Sequence, residues 1–243
     1  MVLKQRVARD ENQAPRVVAL DLGVRAFQTL YDPQQPAVEQ WAEGDQGRII
    51  RLCEHLDALE SRISRAAAER GGFRRWAEQR RKHVRRLRRA AGRMRQRICN
   101  LVDDLHHHLA AHLVDNYALI LLPVFFTSEM VPRKRRKIRR KTVRSMLTWS
   151  HYRFQQFLLH KARSVADCQV VLVCEGYTSK CCSSCGAIHT RLGGAAVFRC
   201  PGCGIALLRD ANGARSILLR FLSGIDHKEL FAKASRVAAN SLG

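Results

Sequence analysis

Two short cysteine knuckles constrain this chain more than any other feature. Cys182-Ser-Ser-Cys185-Gly and Cys200-Pro-Gly-Cys203-Gly repeat one C-x-x-C-G pattern within a short segment. Four thiolates in two such pairs suit a tetrahedral Zn²⁺ ion, and the glycine after each second cysteine permits a tight turn of the backbone. A redox pair is the alternative for a single C-x-x-C, but two matched pairs argue for a closed structural site with no open position for water. The chain has nine cysteines. Its N-terminal residues lack the apolar core of a secretory signal, so a disulfide framework is not expected. Cys181 adjoins a ligand and is read as a non-ligand. Cys53, Cys99, Cys168 and Cys174 lie in apolar stretches and are read as core residues.

Charge gives the second constraint. Lys and Arg number 43 against 21 Asp and Glu, a formal net charge of +22. A domain this basic points to a polyanion, nucleic acid before an anionic membrane surface. No run of about 18 apolar residues occurs, so no transmembrane helix is expected. Between Arg74 and Arg97 twelve basic residues accompany one acid, Glu78. A solvated helix face is the bland explanation, but cations so crowded repel one another without a partner. Arg81, Lys82, Arg85 and Arg88 are therefore candidate phosphate contacts. A second block, Arg133, Lys134, Arg135, Arg136, Lys137, Arg139, Arg140 and Lys141, reads equally as a phosphate-binding segment, a nuclear localisation signal or an exposed loop.

Periodicity supplies the element order. Arg16–Asp21, Ala26–Tyr31 and Ala37–Trp41 read as a β-meander, with Asp32-Pro33 marking the second turn. Apolar residues then recur at three and four from Ile49 to Ala66 and again from Val84 to Leu109. The Gly71-Gly72 pair lies between them, which predicts two long helices packed as a hairpin. Ala118–Leu122 and Cys168–Cys174 read as buried strands, Lys141–Ala166 as one helix, and a last helix begins near Asp210. The predicted organisation is a tail over 1–15, a core over 16–175 with a helical insert at about 46–116, a ribbon over 176–208, and helices over 209–243 that complete the core. This is the order of an α/β ribonuclease-H-like fold with a mixed sheet. Its active site belongs at the carboxyl ends of the parallel strands.

Three acids fall where such a site would lie. Asp21 ends the first strand, Glu175 ends the fifth, and Asp210 opens the last helix. Converging carboxylates can hold two Mg²⁺ or Mn²⁺ ions, which suits phosphodiester hydrolysis. Each has a bland alternative: a turn residue before Gly23 for Asp21, and a helix-dipole partner for Asp210. His106, His107, His108 and His112 have no acid motif to complete a site and are read as surface or packing residues.

The residues now carry a family resemblance. The matching stretches are Ala19-Leu-Asp-Leu-Gly-Val-Arg-Ala-Phe-Gln-Thr-Leu-Tyr31, Leu121-Leu-Pro-Val-Phe-Phe-Thr-Ser-Glu-Met130, Trp149-Ser-His-Tyr-Arg-Phe154, Glu175-Gly-Tyr-Thr-Ser-Lys180, Leu192-Gly-Gly194 and Arg209-Asp-Ala-Asn-Gly-Ala-Arg215. They resemble the catalytic part of TnpB-type transposon-associated nucleases, in particular the Fanzor branch. The resemblance implies an RNA-guided DNA endonuclease with a RuvC-type nuclease domain, an inserted zinc ribbon, DNA as substrate and a guide RNA in full-length relatives. It implies Asp21, Glu175 and Asp210 as the catalytic trio, with Glu129 as the fallback glutamate, since Pro123 stands where much of the family ends its fourth strand. Members of the Fanzor branch would be nuclear and bacterial members cytoplasmic. Relatives carry an N-terminal recognition half, whereas the first RuvC strand here begins at about residue 16, so a bare nuclease domain is expected. A non-catalytic zinc-ribbon nucleic-acid-binding protein and an inactive transposon relic remain the alternatives.

Overall fold

Alternation along the first strand sets the whole arrangement. In β1 (Val17–Leu22), Val18 and Leu20 point to one face of the sheet and Ala19 to the other, and both faces are buried. A strand buried on both sides needs a helical layer on each. The computed structural model describes residues 15–23, 25–68, 74–124, 140–173 and 178–223.

Strands β2 (Gln28–Tyr31) and β3 (Glu39–Trp41) continue from β1 as an antiparallel meander. Asp32 makes their turn, accepting the Gln34 amide on its side chain (2.9 Å) and pairing with Arg16. Strands β4 (Leu119–Pro123) and β5 (Gln169–Val173) then run parallel to β1, giving the order β3-β2-β1-β4-β5. The carboxyl ends of β1, β4 and β5 thus share one edge of the molecule. This mixed sheet is the ribonuclease-H-like arrangement expected from the sequence. Strand β5 lies at the sheet edge and is only half-buried over most of its length, rather than fully buried as its apolar run suggests.

One face of the sheet packs against helices α1 (Asp45–Ala68), α2 (Arg74–Asn116) and α4 (His151–Ala162). Helices α1 and α2 form the hairpin that the three–four spacing predicts. Its base is core, through Ile49, Cys53, Leu56, Leu109 and Leu113, whereas no residue of α2 before Val84 is buried. At about 1.5 Å per residue the 43-residue α2 extends about 65 Å. The other face packs against α5 (Arg209–Leu222), where Ile217 and Leu218 close over Ala19, Leu121 and Val173.

The single helix predicted over 141–166 is two. Helix α3 (Arg140–Trp149) stops at Ser150, whose φ of 50° is left-handed, and α4 starts at His151. The freed Trp149 carbonyl is satisfied from another helix: His106 Nε2–H donates to it at 2.9 Å. His106 and His151 both stack on Phe27, at 5.0 and 5.1 Å between ring centroids. His106 is therefore a packing residue, and His108 is exposed beside Asp104. Cys53 and Cys168 are core residues as expected, but Cys99 is exposed on the outer side of α2. Cys174, Glu129 and residues 133–139 lie outside the described residues. Arg140 and Lys141 open α3.

Candidate functional site

The ribbon is built around two turns and a hairpin. Strands β6 (Val197–Arg199) and β7 (Ala206–Leu208) pair antiparallel, and the second knuckle occupies the loop between them. Gly186 and Gly204 adopt φ of 77° and 74°, the left-handed turn that a glycine after each second cysteine makes available. The Sγ atoms of Cys182, Cys185, Cys200 and Cys203 all lie within 4.8 Å of one another. Cys182 and Cys203 are 3.8 Å apart, and Cys185 and Cys200 are 3.5 Å apart. Tetrahedral Zn–S bonds of about 2.3 Å place their sulfurs about 3.8 Å apart, so the cluster fits a four-coordinate soft-metal site. The Cys203 and Gly202 amides point at Cys200 Sγ, at 3.5 and 3.3 Å, and pull its thiol down to about 6. Cys181 points elsewhere, toward the Gly186 carbonyl. Phe198, fully buried, and Leu192 form a small core beneath the cysteines.

The carboxylates are assembled by the sheet. Asp21 sits two residues after Ala19 on the α5 side of β1, near the carboxyl edge. Across from it lies Gly213 of α5. A Cβ built on Gly213 would stand 2.8 Å from Asp21 Oδ2 and 2.9 Å from its Cγ. Helix α5 can approach this closely only because the position is glycine. Asp210 precedes Gly213 by three residues and Ile217 follows by four, so all three share the helix stripe that faces β1. Burial pushes the Asp210 carboxyl up from its ordinary value, against the pull of Arg209 and Arg25. A half-buried carboxylate is costly alone and is relieved by a bound cation. The β1–β2 turn is equally constrained, because a side chain on Gly23 would clash with the Ala26 carbonyl.

Ribbon and core meet at the same turn of α5. Asn212 is fully buried; its Nδ2 donates to the Cys181 carbonyl (2.8 Å) and its Oδ1 accepts the Ser183 amide (2.9 Å). Arg209 donates to the Gly193 carbonyl (2.9 Å) and Arg25 to the Gly194 carbonyl (3.1 Å). None of these three stands out from composition or spacing. A fully buried asparagine is detectable only once its backbone partners are known, although the Arg209–Arg215 stretch that carries the resemblance contains it.

The basic stretch of α2 forms a separate surface. Arg80, Arg81, Arg85 and Arg88, with Val84, line a groove of about 470 Å³ against Ala66 and Ala67 of α1. Among the described residues Arg81, Arg85 and Arg88 have no acidic partner, whereas Lys82 pairs with Glu78 at 2.8 Å. No described helix is long and apolar enough to cross a membrane. The structure brings Asp21 next to the helix turn that carries Asp210, and brings the four cysteines together. Glu175 lies outside the described residues.

Comparison with known proteins gives a consistent set of likenesses. Residues 151–217 match the Cas12f1-like, TNB domain family. A putative transposase, R186, of Acanthamoeba polyphaga mimivirus is 29% identical over 97% of this chain and 45% of its own length. The TnpB-like protein L79 of the same virus is 30% identical over 56% of this chain and 26% of its own length. The CRISPR-associated endodeoxyribonuclease Cas12f1 of Sulfoacidibacillus thermotolerans is 29% identical over 84% and 45%. In fold, the chain resembles a protein in the cryo-EM structure of a CRISPR-Cas12f ternary complex, with a TM-score of 0.59, 17% identity, and coverage of 87% of this chain and 40% of that one. The chain thus spans less than half the length of these curated relatives.

Proposed function

We propose that this chain, TnpB-type in sequence and ribonuclease-H-like in fold, is the nuclease part of an RNA-guided, transposon-associated DNA endonuclease. The observation that carries the reading is the pairing of Asp21, at the carboxyl end of a central parallel strand, with a helix turn bearing Asp210 and Gly213. Asp21, Asp210 and Glu175 would hold two Mg²⁺ or Mn²⁺ ions. Such ions supply an activated water and neutralise the leaving oxygen of a phosphodiester. Asp21 and Asp210 fix the position of the reacting phosphate against the sheet edge. Glu175 follows the described end of β5, Val173, by two residues, and β5 runs parallel to β4. The same glutamate, just before Tyr177-Thr-Ser-Lys180, is what favours the Fanzor branch.

In this reading residues 16–175 and 209–243 form the nuclease core with its insert at about 46–116, and residues 176–208 form the ribbon. Cys182, Cys185, Cys200 and Cys203 would hold Zn²⁺ in a closed, structural role. Arg81, Lys82, Arg85 and Arg88 of α2 contact the nucleic-acid backbone, as do the Arg133–Lys141 cations. DNA is the substrate and guide RNA the partner.

The test is cleavage of labelled single- and double-stranded DNA by the zinc-filled chain with Mg²⁺ or Mn²⁺, beside Asp210→Asn and Glu175→Ala. Activity falls at least about 100-fold in both variants. Because burial disfavours the Asp210 charge, Asp210→Asn does not lower the melting temperature measured without divalent ions. Cleavage that survives Glu175→Ala returns the third ligand to Glu129. DNA binding without cleavage by the unaltered chain favours the non-catalytic reading.

A further inference from the structure

The most confined polar side chain between ribbon and core belongs to Asn212. It has no exposed surface, and its amide spans the backbone on both sides of Cys182: it donates to the Cys181 carbonyl and accepts from the Ser183 amide. Ser216, one turn along α5, also points at the Cys181 carbonyl, at 3.4 Å. The residue after Asn212 is Gly213, which lies so close to the Asp21 carboxylate that a Cβ there would stand 2.8 Å from Oδ2, and the residue two before it is Asp210. One turn of helix therefore carries a grip on the backbone around Cys182 and the close approach to Asp21.

We propose that Asn212 is a positioning residue that couples the four-cysteine site to the Asp21–Asp210 pair. With the cysteines filled, the knuckle at Cys182 is rigid. Asn212 then fixes the rotation and depth of the first turn of α5, and with it the separation of Asp210 from Asp21. The proposal rests on the nuclease reading for what the carboxylates do, but not for the coupling itself. Other described ties join ribbon and core: Ser216 reaches the same Cys181 carbonyl at the longer 3.4 Å, the Arg209 amide meets the Ala196 carbonyl at the first residue of α5 (2.8 Å), and the bonds from Arg209 to Gly193 and from Arg25 to Gly194 are exposed. Exposed hydrogen bonds compete with water, whereas losing Asn212 removes the acceptor of the buried Ser183 amide and leaves the Cys181 carbonyl to the longer Ser216 contact. The coupling therefore runs mainly through Asn212. By reciprocity, altering this residue of α5 also changes how tightly the cysteines hold their metal.

The test is amide hydrogen exchange on the whole chain with Co²⁺ in the cysteine site, whose thiolate-to-metal absorption reports filling independently of any activity. Unaltered protein, Asn212→Ala and Asn212→Asp are each measured filled and after chelation. Asn212→Asp retains an acceptor for Ser183 and loses the donor to Cys181. In the unaltered protein, peptides covering 209–216 exchange about tenfold or more faster once the metal is withdrawn. In the filled variants they exchange at that faster rate while 197–204 stays protected. Weaker Co²⁺ retention by the variants also supports the coupling. Two results overturn it: filled variants that protect 209–216 as the unaltered protein does, or unaltered protein whose 209–216 exchange ignores filling. DNA cleavage read in parallel separates the two claims. An unaltered chain that shows the exchange coupling but never cleaves sinks the nuclease reading and leaves the role of Asn212 standing.

Discussion

The ribbon gathers thiolates and the sheet edge gathers acidic side chains, and they do so by different routes. The four thiolates come from two local turns of identical pattern, with a small core of Phe198 and Leu192 beneath them. Asp21 and the helix turn that bears Asp210 come from opposite ends of the chain and are brought together only because β1 is central in the sheet and α5 packs across it. A local site tolerates change elsewhere in the molecule. An assembled site depends on each close approach that builds it, here the absence of a side chain at Gly213. Under the role proposed for Asn212, the ribbon braces the helix turn on which the assembly depends.

Removing a thiolate gives the largest expected effect. Cys200→Ser takes metal content from about one ion per chain to near zero, read by a metal-indicator assay after gel filtration, because structural zinc binding is worth about 10–16 kcal/mol and needs its full ligand set. The sheet persists, since neither of its two main hydrophobic clusters includes a ribbon residue. Unfolding of the whole chain in that variant would erase the distinction between a local and an assembled site.

Gly213→Ala probes the other region and should split stability from activity. Alanine favours a helix over glycine by up to about 1 kcal/mol. Its Cβ, however, lands within 3 Å of the Asp21 carboxylate, which must move. A displacement near 1 Å at reacting groups can cost about 100-fold in rate. The variant should keep its circular dichroism and metal content while DNA cleavage falls about 10- to 100-fold. Unchanged cleavage would mean that the position of Asp21 does not matter to the chemistry.

Acid separates the regions again. Burial pushes His106 down to about 4 and His151 down to about 3, so the fold holds both rings neutral. Their ordinary value is near 6.5. Their contribution is complete above that pH and is lost as pH falls from about 6.5 toward 4. The two rings stack on Phe27, just before β2, so acid loosens the sheet side. Denaturant midpoints followed by the fluorescence of buried Trp149 should drop between pH 7 and pH 5, and His151→Phe should flatten that drop. The smallest effect is on α2: replacing Arg81, Arg85 and Arg88 together by Ala lowers the slope of log affinity against log salt for DNA by up to about 3, without affecting metal content.

Legibility in the sequence follows the same division. The knuckles were readable because spacing alone defines them, and the order of elements was readable because β4 and β5 are short apolar runs separated by helical segments. Asp21 and Asp210 were readable as candidates, but not the close approach of Asp21 to the helix stripe that Asp210 shares with Gly213, which needs the packing of α5. The break at Ser150 was invisible, because the hydrogen bond that satisfies the Trp149 carbonyl comes from His106 in a distant helix. Asn212 was hidden for the same reason: its partners are backbone atoms of another segment. The exposure of Cys99 contradicts a reading by neighbouring apolarity, since one face of a long helix alternates with another within two residues.

The most direct test is anomalous diffraction from crystals of the zinc-filled chain soaked in Mn²⁺. The account predicts a manganese peak in contact with both Asp21 and Asp210, and a separate zinc peak among Cys182, Cys185, Cys200 and Cys203. A filled ribbon with both carboxylates ordered and no manganese between them would contradict it.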